Sequence, residues 1–180
     1  MYYAFINNGQ IDGKGQFPCS SEDLFSVEIT EEVYNNLEQY MWNGKKVVIN
    51  PHYDEEMLAQ AKADKYEEAK TKAYVFLESG EALYEFEPGK HIEATDGNIG
   101  KFTAYALGFM AGSTAPVVWS TKEDETVTLN AEQVTDILQG LGAVQAQVWT
   151  VEFTNYVTAI QEASTVEEVN AITIDYEEHN

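Results

Sequence analysis

Residues Thr126 to Ile174 read TVTLNAEQVTDILQGLGAVQAQVWTVEFTNYVTAIQEASTVEEVNAITI, and the rest of the chain is organised around them. Thr126-Val127-Thr128-Leu129 alternates polar and apolar residues, as a half-buried strand does. Asn130 has a side-chain oxygen suited to the free N–H groups that open a helix, and Gln133 is placed to reach back, so the pair predicts a capping box. The helix is expected to run to about Ala163. Its first stripe is Val134, Ile137, Leu138, Leu141, Val144 and Val148, spaced by three and four. The stripe then passes to Trp149, Phe153, Tyr156, Ile160 and Ala163, so it slides around the helix. A sliding stripe predicts packing first on one neighbour and then on another. At 1.5 Å per residue such a rod is ~50 Å long. Gly140 and Gly142 each weaken it by ~1 kcal/mol relative to Ala, and they predict a bend or a close approach by another backbone. Thr165-Val166-Glu167-Glu168 predicts a second capping box, opening a short helix that carries Val169 and Ile172.

Upstream of this stretch, residues 54 to 80 predict a connector helix capped by Asp54 and running to about Glu78. They are rich in Ala, Glu, Lys and Gln, all strong helix formers. Ala59, Tyr66 and Ala73 repeat every seven residues beside Ala69 and Phe76, and Lys62 interrupts the stripe. A face this thin predicts a half-exposed helix, or one that meets a partner helix through small residues. From residue 81 onward the pattern gives a C-terminal helix and hairpin domain. Ala82 to Phe86 and His91 to Ala94 flank Pro88-Gly89 as a hairpin. Thr95 or Asp96 caps a helix to about Ala111 that buries Ile99, Phe102, Ala106, Leu107 and Met110, with Gly112 just past its end. Pro116-Val117-Val118-Trp119 and Thr126 to Leu129 flank an acidic turn as a second hairpin.

Residues 1 to 53 predict a small β-rich module. Tyr3 to Ile6 form a strand ending at the turn Asn8-Gly9. A loop through Asp12-Gly13-Lys14-Gly15 and a helical turn at Ser20-Ser21-Glu22-Asp23 follow. Phe25, Val27 and Ile29 alternate as a strand. Thr30 caps a helix that carries Val33, Leu37, Tyr40 and Met41 and ends at Asn43-Gly44. Lys45 to Ile49 is the next strand, stopped by Pro51. The fold class is therefore α+β.

Charge is the sharpest compositional feature. The 180 residues hold 31 Asp and Glu against 10 Lys, with no Arg, and the formal net charge is -21. Twelve of the acids follow Lys122. Phosphate binding depends on Lys and Arg displacing counterions, so the composition argues against a nucleic-acid partner, and against anionic membrane surfaces for the same reason. The acids read as a solvated surface; the functional alternatives are docking onto a basic partner, or calcium binding. No apolar run reaches the ~18 residues of a membrane span. Met1 to Ile6 is too short for a signal peptide and follows no basic residues. The single cysteine, Cys19, admits no intrachain disulfide.

Candidate chemistry is weak throughout. Gly97-Asn98-Ile99-Gly100-Lys101-Phe102-Thr103 lacks the loop length of a phosphate-binding loop, and Phe102 replaces the Ser or Thr after its Lys. Asn8, Asp12 and their glycines lack the oxygen ladder of a calcium loop. Nothing places His52, His91 or His179 beside Cys19. Trp119 and Trp149 read as core before they read as sugar platforms. The residues alone thus assign no catalytic, cofactor-binding or metal site. The candidate partner-binding residues are Tyr66, Phe76, Trp149, Phe153 and Tyr156, on the apolar stripes of the two longest helices.

The series Val117-Val118-Trp119, Thr126 to Glu132, a long helix, Ala159-Ile160, then Thr165-Val166-Glu167-Glu168-Val169-Asn170-Ala171-Ile172 resembles an uncharacterised domain family. That family occurs in tail-fibre and tail-fibre-associated proteins of tailed bacteriophages. The resemblance spans about residues 55 to 175, and its most specific piece is the Thr165 to Ile172 ending. The N-terminal module is similar to the small heads of phage tail-appendage and fibre-assembly proteins. The absence of arginine departs from the pattern of the family's proteobacterial members. The resemblance implies a non-enzymatic structural component of a virion tail or fibre, made in the host cytoplasm. It implies contacts with other virion proteins and with copies of itself, a trimer by analogy. Two alternatives remain: a tail-fibre assembly chaperone absent from the mature particle, and a hydrolase of host surface sugars.

Overall fold

The computed structural model describes residues 1–21 and 23–176, and it is an α+β chain. It divides into two compact units, Met1–Ala59 and Gln60–Asn180, with the division falling inside a long helix. Glu22, part of the expected helical turn, and His179 lie outside the described residues.

In the first unit β1 (Tyr2–Asn7) is the middle strand of an antiparallel sheet, between β2 (Gln10–Gly15) and β3 (Leu24–Ile29). Residues Asp12 to Gly15, expected as a loop, are strand. The reason lies in the turn: Asn8 and Gly9 have φ of 49° and 79°, the two left-handed residues that send a chain straight back on itself. Pairing then continues to Tyr3 opposite Gly15. Gly15 leaves room for a ring, since a Cβ there would lie 2.6 Å from Phe5 Cζ. Of the residues around the expected helical turn, Ser20 bridges Phe25, and the Ser21 N–H donates to Leu24 O at 2.8 Å.

The next correction concerns the helix begun at Thr30. Thr30 does cap it, accepting from the Val33 N–H at 3.2 Å, but α1 covers only Glu31–Asn35. Asn36 ends it by turning both its backbone N–H and its side-chain amide onto Glu32 O. A 3-10 turn at Leu37–Gln39 follows, and Tyr40–Trp42 is strand β4, paired with β5 (Val47–Ile49). Asn43-Gly44 is thus a hairpin turn and not a helix stop. Asn43 Oδ1 accepts from the N–H groups of Lys45 and Lys46, and Gly44 has φ of 90°. Ala4, Ile6 and Leu37 are this unit's buried core.

Helix α2 (Tyr53–Ser79) begins one residue before the expected cap. The start is organised by Asn50, whose Oδ1 accepts from the His52 N–H and whose amide donates to Glu56; Asp54 instead contributes a charge of the favourable sign to the first turn.

The second unit is built from hairpins and helices. β6 (Leu83–Glu87) and β7 (Lys90–Glu93) turn at Pro88-Gly89, and β8 (Val117–Ser120) pairs with β9 (Thr126–Leu129). α3 (Asp96–Met110) lies between the hairpins in sequence, capped by Thr95. Glu123 ties the hairpins together. Its carboxylate accepts from the His91 backbone N–H at 3.0 Å and lies 2.7 Å from His91 Nδ1. The backbone N–H is the main cause that holds the Glu123 carboxyl down at about 2, with the imidazole contact adding to it.

The long helix runs from Ala131 to Glu162, but not as one α-helix. α4 (Ala131–Ala146) passes into a π segment (Gln147–Glu152) and then α5 (Phe153–Glu162). The Asn130–Gln133 capping box forms in full. No bend is needed at the glycines: Gly142 faces open space, and Gly140 accommodates a ring. The phase of the stripe changes in the π segment, where the Phe153 N–H bonds to Val148 O, five residues back. α6 (Val166–Ala171) is capped by Thr165, while Glu168 reaches one residue further back than a standard box, onto the Ser164 N–H at 2.6 Å. Phe102, Ile92, Leu129, Val134, Ile137, Leu141 and Val148 are the largest side chains sealed in this core.

A candidate binding cleft along the long helix

The five residues expected to face a partner fall into two groups of rings within the second unit. Tyr66 and Trp149 each meet Phe153 edge-on, with centroids 5.4 Å apart. Phe76 stacks on Tyr176 at 6.3 Å, and Tyr156 meets Tyr176 edge-on at 5.3 Å. Tyr156 also fixes the tail, its hydroxyl donating to Asp175 O at 2.6 Å and accepting from the Asp175 N–H. Phe76 is 7 % exposed and Tyr66 38 %, so Phe76 has little surface left to offer while Tyr66 keeps a face. Lys62, which breaks the α2 stripe, has a capping job: its ammonium donates to Gln161 O at the end of α5, where carbonyls lack helical partners. Lys72 likewise donates to Ile174 O.

A cleft opens where β6 meets the long helix. The Tyr84 ring lies on the backbone of Gly140, where a Cβ would run into the ring. On one side is a cavity of about 330 Å³, lined by Phe76, Tyr84, Ala143, Gln147, Glu152 and Tyr176 among others. On the other is a cavity of about 430 Å³ that shares Tyr84, Gly140 and Ala143 and carries Glu87 and Asp136. Among cavities able to seat ligands these are at the small end.

Glu152 is the unusual residue here. It is the last residue of the π segment and 7 % exposed. Its Oε1 lies 3.5 Å from Gln147 Nε2, a weak contact, and its Oε2 is buried with no hydrogen-bond partner. The Tyr176 phenol is pushed well above its ordinary range, mainly by burial, with Tyr156 and the Glu152 charge adding to it; its hydroxyl donates to Ala69 O at 3.1 Å. Glu152 lies off the α-helical stripe that runs through Trp149 and Phe153, so the spacing of apolar residues does not mark it. A signal was present: Val148, Glu152, Tyr156 and Ile160 follow one another at steps of four, which places an acid in an otherwise apolar row.

Among the described residues, no group of three or more His, Cys, Asp or Glu is placed to hold a metal ion. Nor is any helix among them long and apolar enough to cross a membrane. The fold defines an α+β domain of antiparallel hairpins packed with helices, carrying a cleft with a buried carboxylate. The chain belongs to the domain family of unknown function DUF4376, whose model matches residues 58–177. No curated protein and no solved structure matches it.

Proposed function

We propose that this protein is a non-enzymatic structural component of a bacteriophage virion, in the tail or its fibres, and that it works through contacts with other proteins. The observation that carries this reading is the series from Val117 to Ile172, which resembles domains of tail-fibre and tail-fibre-associated proteins. The surface is compatible with such a role. Tyr66 keeps an exposed face, and α3 and β8 leave Leu107, Met110 and Val118 more than half exposed. Assembly as copies of one chain, in the host cytoplasm before incorporation, belongs to the same reading.

Mass spectrometry of purified particles tests it. The protein is expected among the virion proteins at stoichiometric abundance, and to co-sediment with tails. If it is missing from particles yet needed to build them, it is an assembly chaperone; if it is missing and dispensable, the proposal fails.

A further inference from the structure

We propose that the cleft beside the π segment receives a basic side chain, arginine or lysine, from another protein, with Glu152 as its counter-ion. This deepens the contact role proposed above and rests on it. A carboxylate oxygen that is buried without a donor beside a mostly apolar cleft is costly, and such groups are completed by a donor. Glu152 Oε2 is that oxygen, on a residue 7 % exposed that lines the 330 Å³ cavity. Among the described residues, the side chain that hydrogen-bonds the Glu152 carboxylate is Gln147, itself exposed and held to Oε1 by a contact of 3.5 Å, so it is readily displaced.

The chemistry of the cleft selects the occupant. Phe76, Tyr84 and Tyr176 line it with aromatic rings, which favour a cation over a neutral group. A guanidinium sheds water more easily than an ammonium and is the better fit to a buried carboxylate. These 180 residues contain no arginine, so they cannot supply a guanidinium themselves. The adjoining 430 Å³ cavity carries Glu87 and Asp136 and shares the Tyr84 wall. Glu87 is already paired with Lys90 at 2.9 Å, so a basic segment lying along β6 meets Glu152 in one cavity and Asp136 in the other. The net charge of -21 steers such a segment inward.

The test is an NMR titration of the full chain with a short peptide bearing one central arginine, run beside its lysine and citrulline analogues. Citrulline keeps the shape and removes the charge. Saturable shifts of the Tyr84 and Tyr176 ring signals are expected with arginine. Binding should be about tenfold or more weaker with citrulline, the loss of one charge-assisted hydrogen bond. Glu152→Gln should abolish the preference for arginine over citrulline. Because it removes an unpartnered charge, that variant should fold with a melting temperature no lower than the parent's. Ala143→Leu, which fills the cleft from an exposed position, should block binding and leave Glu152 in place. Equal affinity for arginine and citrulline, or no shift at these rings up to millimolar peptide, would overturn the proposal. So would a large loss of stability in Glu152→Gln, which would mean that the carboxylate already has its partner within the fold. Virions are not used in this test, so its failure leaves the tail assignment standing, and absence from virions leaves the peptide result standing.

Discussion

The two compact units solve the burial problem differently. Residues 1–59 enclose Ala4, Ile6 and Leu37, and much of their order comes from backbone pairing and tight turns. Residues 60–176 enclose Phe102, Ile92, Leu129, Ile137, Leu141 and Val148, with helices laid on hairpins. Burial of large side chains stabilises by roughly 1.5–3 kcal/mol each, so the second unit should be the stable one and the first should open more readily. The difference teaches that local turn chemistry is enough to shape a small sheet, while a helical unit of this size depends on long-range packing.

The comparison can be broken most directly in the core. Phe102→Ala should cost about 3–5 kcal/mol. Because the Phe102 ring sits 4.7 Å from Trp119, the loss should appear in Trp119 fluorescence. Amide signals of β1 should be unchanged at low denaturant. If β1 is lost together with the Trp119 signal at every denaturant concentration, the units are not separable in stability.

A smaller effect sharpens the account of the long helix. Gly140→Ala would drive a methyl into the Tyr84 ring and should destabilise by about 1–3 kcal/mol. Gly142→Ala, two residues away and facing open space, should stabilise by up to about 1 kcal/mol. Thermal melts of the pair should move in opposite directions; movement in the same direction would refute the packing described at Gly140. Smaller again are the caps. Asn130→Ala should cost about 1 kcal/mol, since it removes the side-chain acceptor of the Gln133 N–H and leaves only the Gln133 arm of the capping box. Thr30→Ala in the first unit should cost less, because α1 has only five residues to lose.

The smallest effect is set by pH. The Glu123 carboxyl titrates at about 2 in the folded chain, below its ordinary value near 4.5. A depressed carboxyl contributes stability that is present above its unfolded pKa and is lost as pH falls through the folded one. The tie between the hairpins should therefore weaken between about pH 4.5 and 2. In Glu123→Gln the His91 amide signal should show no transition in that window; an unchanged transition would assign the tie to another group.

Much of this comparison is legible in the residues. The α+β class, both hairpins of the second unit, the caps at Thr95, Asn130 and Thr165 and the turn at Asn8-Gly9 are local events, each decided by a few neighbouring side chains. Leu107 and Met110, expected in the core, are instead more than half exposed, because no neighbour among the described residues covers that side of α3. Two other differences share a cause. Residues 12 to 15 and 40 to 42 have weak patterns of their own, and they became strand because a turn delivered them to a partner. The candidate site shows the same limit. Tyr66, Phe76, Trp149, Phe153 and Tyr156 were visible as an apolar series, whereas the cleft at Tyr84, Gly140 and Glu152 joins residues far apart in sequence.

By itself the sequence determined charge, caps, turns and the amphipathic order of helices and hairpins, because these depend on spacing within one or two turns of chain. Only the tertiary structure decided which rings meet, what occupies the space above Gly140, and that Glu152 Oε2 is buried without a donor. Those outcomes depend on which distant surfaces close over a residue, and a residue's neighbours along the chain carry no record of that.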